Sequence, residues 1–197
     1  SKKEVGKVEI LFSKKEQRKV LEHALKQARI IADAVNFTRT LINEPANMMP
    51  PRELARLARE VARNGKIKCQ VLGPAEIKKL KMGGVIAVSQ GSHEPAQFII
   101  LEYGSAYKNK GTVCLVGKGV TFDTGGLNLK SSGHMETMRI DMSGAAAVVG
   151  ILKNVLDLGL KRNILFVVGL AENAIGSQAY KPGDVFRSYS GKTVEIG

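Results

Sequence analysis

Two lysines and two aspartates, Lys118, Asp123, Lys130 and Asp141, fall within one glycine-rich stretch, VGKGVTFDTGGLNLKSSGHMETMRIDMSGAAAVVG, residues 116 to 150. Carboxylates are hard oxygen donors suited to divalent cations, and here they have lysines nearby. Other chemistries fit less well. The P-loop needs GxxxxGK[ST], and the dinucleotide fingerprint needs GxGxxG; Gly117, Gly119, Gly125 and Gly126 have neither spacing. There is no HExxH pair and no GxSxG nucleophile elbow. His134 stands alone, with His23 and His93 in other segments, and reads as an exposed loop histidine. Each charged residue also has a structural alternative. Asp141 precedes Ser143 and a helix and could cap it; Asp123 before Thr124-Gly125-Gly126 could close a local turn; the lysines could be solvated. Spacing by itself does not choose between a metal site and these roles.

The flanking elements argue for a site. TVCLVG (112–117) and NILFVVGLA (163–171) are near-continuously apolar, as strands buried on both faces are. SGAAAVVGILKNVLDLG (143–159) between them is a helix whose Gly144-Ala145-Ala146-Ala147 start allows close backbone packing. Strand, loop, helix, strand is a βαβ crossover, so the expected fold is α/β, a three-layer αβα arrangement around a mostly parallel or mixed sheet. Ligands of such sheets collect beyond the carboxyl ends of strands. The connection from Gly117 to Asp141 leaves such an end and is far longer than the usual ~2–6 residues.

Upstream, KVEILF (7–12) alternates like a short strand, and residues 16–42 carry helical spacing. NEPANMMPP (43–51) breaks that helix, and Pro51 suits the first turn of the next, which ends at Asn64-Gly65. KCQVLG, GVIAVSQGS and AQFIILEY read as strands, PAEIKKLK as a short helix, and KTVEIG (192–197) as the beginning of a last strand. The expected division is an N-terminal strand and linker helix, 1–42, and a body, 43–197.

Of 197 residues, 44% are hydrophobic, enough for a core. No apolar run reaches the ~18–20 residues of a membrane span, so no membrane partner is expected. The start has no secretory pattern; it lacks an initiator Met, which points to a cut N-terminus. Cys69 and Cys114 form no disulfide framework and read as buried thiols in a reducing cytosol. The net charge of +12 is concentrated in residues 1–81, with 19 Lys+Arg against 9 Asp+Glu. Such a basic half suggests an acidic partner, nucleic acid or another subunit, or else the solvated faces of helices. A basic nucleic-acid-binding module is therefore the competing reading.

VGKGVTFDTGGLNLK, MRIDMSGAAAVVG, AENAIGSQAYKPGDV and TLINEPANMMPP together resemble the catalytic domain of the cytosol (leucyl) aminopeptidases, the M17 family, from about Leu41 to Gly197. The resemblance implies a cytoplasmic, hexamer-forming metallo-aminopeptidase that removes leucine-type residues from peptides with a free N-terminus. It implies two divalent ions, Mn or Zn, with Mg or Co as alternatives. Lys118 would be a ligand through its amine, Asp123 would bridge the ions, and Asp141 would bind the same ion as Lys118. Lys130 would be the catalytic lysine polarising the scissile carbonyl, and Met138 would line the pocket for the first side chain. The family's remaining acidic ligands and an arginine lie in an Asn-Thr-Asp-Ala-Glu-Gly-Arg motif directly after GKTVEIG, where this sequence stops. The expectation is a fragment of a full aminopeptidase, inactive alone, with a partner-completed or non-catalytic remnant as alternatives. KTVEIG would then be an exposed edge strand.

Overall fold

The computed structural model describes residues 6–14, 17–65 and 67–197. The chain order is α1 (Arg18–Asn43), α2 (Pro51–Asn64), β1 (Lys68–Leu72), α3 (Pro74–Lys79), α4 (Gly83–Ser89), β2 (Gln97–Tyr103), β3 (Thr112–Asp123), α5 (Ser132–Met135), α6 (Ser143–Leu158), β4 (Asn163–Asn173), β5 (Val185–Arg187) and β6 (Thr193–Glu195). Among the described residues no helix is long and apolar enough to cross a membrane.

Four strands form a mixed sheet in the order β1-β2-β4-β3. β3 and β4 are parallel and joined through α6, the expected crossover; β1–β2 and β2–β4 are antiparallel. Alternate side chains of β4, Ile164, Phe166, Val168 and Leu170, face α2 and α6 and are buried with Leu54, Ala58, Ile99, Leu101, Val149 and Leu152. Each large side chain removed from water there contributes about 1.5–3 kcal/mol. α1 packs outside α6, where Gly150 lets Thr38 approach: a β-carbon on Gly150 would lie 1.9 Å from Thr38 Oγ1. α4 covers part of the opposite face, against Phe98 and Gly169, and the β5–β6 hairpin packs on α4. The architecture is the α/β arrangement with a mixed sheet that the sequence pattern suggests.

Several local expectations are corrected. Residues 6–14 make no strand, because KVEILF has no ladder partner among the described residues, and Val8, Ile10 and Leu11 remain exposed. GVIAVSQGS folds as α4, not as a strand. A short apolar run carries no decisive period, and this one settles Val85 and Ile86 against a second cluster with Leu72, Ile77 and Phe98. β3 is not buried on both faces. It is an edge of the sheet, and Val113, Cys114 and Val116 are exposed, Val116 to 73%. KTVEIG does not join the main sheet; Thr193–Glu195 pairs with Val185–Arg187 in a separate hairpin. Among the described residues β3 is thus an apolar edge of the main sheet with no further strand beside it. Of the two thiols, Cys114 is exposed and Cys69 half-buried, the latter with its pKa raised by burial against the opposing Arg59. Part of the basic excess is internally paired on the surface, as in Arg18–Glu22, Arg56 with Glu53 and Glu60, and Lys68–Glu102.

Candidate metal centre

Lys118 and Asp123 belong to a strand rather than a loop, because β3 continues through the glycines to Asp123, with a register irregularity between Val120 and Asp123. Glycine is required there by the helix that follows. A β-carbon on Gly117 would lie 2.6 Å from the Gly144 carbonyl oxygen and 2.8 Å from the Ala145 α-carbon. One on Gly119 would lie 2.4 Å from Leu170 Cδ2. The start of α6 is thus pressed onto β3, and this seam sets Asp141, two residues before the helix, beside Lys118.

Lys118 Nζ and Asp141 Oδ2 are 2.8 Å apart. The contact is an ion pair by distance, while Oδ2 is buried with no hydrogen-bond partner among the described residues. Asp141 is not a helix cap: α6 is preceded by Met142, and no side chain caps it. A buried carboxylate oxygen without a hydrogen bond carries a desolvation cost of roughly 1–3 kcal/mol or more for a charge. The Lys118 ammonium offsets part of that cost by its charge, and a divalent cation in its place would meet the same need.

Asp123 lies opposite Asn173 in the register, at the adjoining carboxyl ends of β3 and β4. Its Oδ1 accepts from the Gly125 N–H at 2.9 Å and from Asn173 Nδ2 at 2.5 Å; its Oδ2 is 3.2 Å from Lys130 Nζ. Burial pushes its pKa up, but the Gly125, Asn173 and Lys130 donors outweigh that and hold it below the ordinary carboxylate range. The local turn with Gly125 and the ion pair with Lys130 coexist, so the structural and chemical readings of Asp123 are not exclusive.

The connection after Asp123 turns at Gly125 (φ 87°) and Gly126 (φ 67°), backbone that a side chain would strain. It returns through the Lys130 N–H to the Thr124 carbonyl at 2.9 Å. α5 and a single 3₁₀ turn, Met138–Ile140, complete the path to Asp141. Met138 is partly buried in that turn, which packs against β3, and its carbonyl accepts the Asp141 N–H at 3.3 Å. His134 is exposed and hydrogen-bonded through Nδ1 to Ser131 Oγ at 2.8 Å, outside the charged group.

The four charged residues therefore form two lysine–carboxylate pairs, Lys118–Asp141 and Lys130–Asp123. No set of three His, Cys, Asp or Glu residues is gathered for a metal among the described residues. The groups present fit part of a divalent-cation centre: two carboxylates, one with an oxygen that has no hydrogen bond, and a lysine whose nitrogen would become a donor on losing its proton. The sequence pattern did not single out Asn173 or Tyr180, whose hydroxyl accepts from Asn173 Nδ2 at 2.9 Å. Both lie in the AENAIGSQAYKPGDV block, and their polar side chains facing the carboxyl end of an apolar strand were the available signal.

Residues 36–197 match the cytosol aminopeptidase family, catalytic domain. The chain is 44% identical over 166 residues to the probable cytosol aminopeptidase of Roseiflexus castenholzii, covering 84% of this chain and 34% of that protein. It is 48% identical over 166 residues to the corresponding protein of Ralstonia nicotianae, covering 84% and 33%. Among solved structures, the bottromycin maturation enzyme BotP in complex with Mn superposes with a TM-score of 0.83 at 39% identity, over 93% of this chain and 38% of that one. Cytosol aminopeptidase from Coxiella burnetii gives 0.81 at 34% identity, over 86% and 36%. The chain spans about a third of the length of the curated relatives it matches. With the family model matched over residues 36–197 and the fold shared with solved relatives, the chain belongs to the cytosol aminopeptidase family.

Proposed function

We propose that this chain contributes part of the catalytic domain of a metal-dependent aminopeptidase acting on peptides with a free N-terminus. The observation that carries the reading is Asp141 Oδ2, buried without a hydrogen bond and ion-paired with Lys118, on a strand whose next carboxylate is Asp123. A relative solved with Mn supports a divalent ion, with Mn or Zn the first choices and Mg or Co further ones. Lys118, Asp123 and Asp141 would hold two ions, with Asp123 shared between them. Bound divalent ions supply Lewis acidity and an activated water. Lys130, 3.2 Å from Asp123 Oδ2, would supply a positive charge to the negative charge that develops on the scissile carbonyl oxygen, an effect typically worth ~2.7–4 kcal/mol. Met138 would line the pocket for a leucine-type first residue. Residues 43–197 would form the catalytic portion and residues 1–42 a preceding arm. Homo-oligomeric assembly, hexameric in the family, and a cytoplasmic location belong to the same reading.

With three expected ligands and no cluster of three acidic or imidazole groups among the described residues, the 197-residue chain is expected to bind metal weakly and to turn over no peptide alone. Calorimetric titration with Mn(II) tests this. Binding should be present in the chain and abolished by Asp123→Asn and Asp141→Asn. Equal binding by all three proteins would refute the assignment.

A further inference from the structure

Asn173 is 2% exposed, and its amide nitrogen is fully committed. One hydrogen goes to Asp123 Oδ1 at 2.5 Å and the other to Tyr180 Oη at 2.9 Å. The amide must point its nitrogen at Asp123, because an ionised carboxylate only accepts. With the Gly125 N–H also on Oδ1, that oxygen has two fixed donors, and Oδ2 meets Lys130 alone. Tyr180 is braced in turn. Its ring lies against Gly126, where a β-carbon would sit 3.0 Å from it, and its carbonyl accepts the Leu127 N–H at 3.1 Å. One tyrosine therefore steadies both the amide on Asp123 and the turn that leads to Lys130.

We infer that Asn173 and Tyr180 are positioning residues: they lock the Asp123 carboxylate through Oδ1, so that Oδ2, whose one partner is Lys130, is the oxygen a divalent cation would take over. The choice of a neutral donor is what makes this workable. A divalent cation arriving at Oδ2 must displace the Lys130 ammonium, which it repels, whereas the amide holds Oδ1 without adding charge and can stay in place through that exchange. The affinity part of this inference rests on the metal-centre reading above; the locked orientation does not.

The test uses the 197-residue chain with two substitutions. Asn173→Leu keeps the shape and removes the donors, and Tyr180→Phe removes only the hydroxyl. In metal-free protein the Gly125 amide reports the lock by ¹H–¹⁵N spectroscopy. Its proton should move upfield and exchange faster in Asn173→Leu, and in the same direction but less in Tyr180→Phe, while amides of β1 and α1 stay put. Mn(II) affinity should fall about 10–100-fold in Asn173→Leu, the usual range when a group orienting a ligand is lost. Residues that only filled space would be replaced by leucine without moving either readout, and that result overturns the inference. A shifted Gly125 amide with unchanged Mn(II) affinity overturns it too. If the wild-type chain and Asp123→Asn bind Mn(II) alike, the metal reading fails instead, and the Gly125 amide alone decides the lock. If Asn173→Leu does not fold, Tyr180→Phe decides by the same two readouts.

Discussion

The seam between β3 and α6 makes Gly117→Ala the most informative single change. The added β-carbon would sit 2.6 Å from the Gly144 oxygen and 2.8 Å from the Ala145 α-carbon. Carbon atoms prefer about 3.5–4.0 Å. Both obstacles are backbone, so no side chain can swing away, and α6 or β3 must move by roughly 1 Å to restore that separation. Overpacking of this kind costs about 1–3 kcal/mol. A loss of about 2 kcal/mol lowers the thermal midpoint by roughly 4–8 °C in a chain of this size. The same movement separates Lys118 from Asp141, whose 2.8 Å contact spans the seam, so Mn(II) binding should weaken as well. Gly133→Ala is the control, because a β-carbon at that position would have nothing within 4 Å; its midpoint should stay level or rise slightly. Far-UV circular dichroism against temperature gives both midpoints. Equal midpoints for the two variants would show that the seam yields freely and would sink the argument that glycine at 117 sets the spacing of the charged pair.

Two other outcomes are expected. Val116, 73% exposed on the unpaired edge of the sheet, offers an apolar template to other chains; Val116→Lys should reduce self-association in sedimentation velocity, and an unchanged distribution would mean that β3 is not the sticky edge. In chelator-treated protein, Asp123 has a folded pKa below its unfolded value, because the Gly125, Asn173 and Lys130 donors exceed the opposing effect of burial. Such a group adds stability above the unfolded value of about 3.9, lost as pH falls through the lower folded value. Asp123→Asn should therefore flatten the acid limb of a stability–pH curve below about pH 4, and an acid limb identical to wild type contradicts the assigned donors.

Sequence alone determined the family, the order of the long elements and the stretch in which charge collects. α1, α2 and α6 are legible because each is long enough to show its period or its proline and glycine boundaries, and β2 and β4 because their apolar runs are bounded by turns. The family blocks are legible for a related reason: a contiguous motif needs no partner to be read. Only the tertiary structure decided what faces what. GVIAVSQGS is equally apolar as helix or strand, and the open face beside Phe98 made it a helix. TVCLVG looks doubly buried, yet its exposure depends on whether another strand lies beside it, which no local pattern states. Lys118 pairs with Asp141, and Asp123 with Lys130 and Asn173, because Gly117 and Gly144 let a helix touch a strand and because β3 and β4 end in register. Those contacts join residues as far as 50 apart, Asn173 with Asp123, and their energies depend on distance and burial, quantities that exist only once the chain has folded.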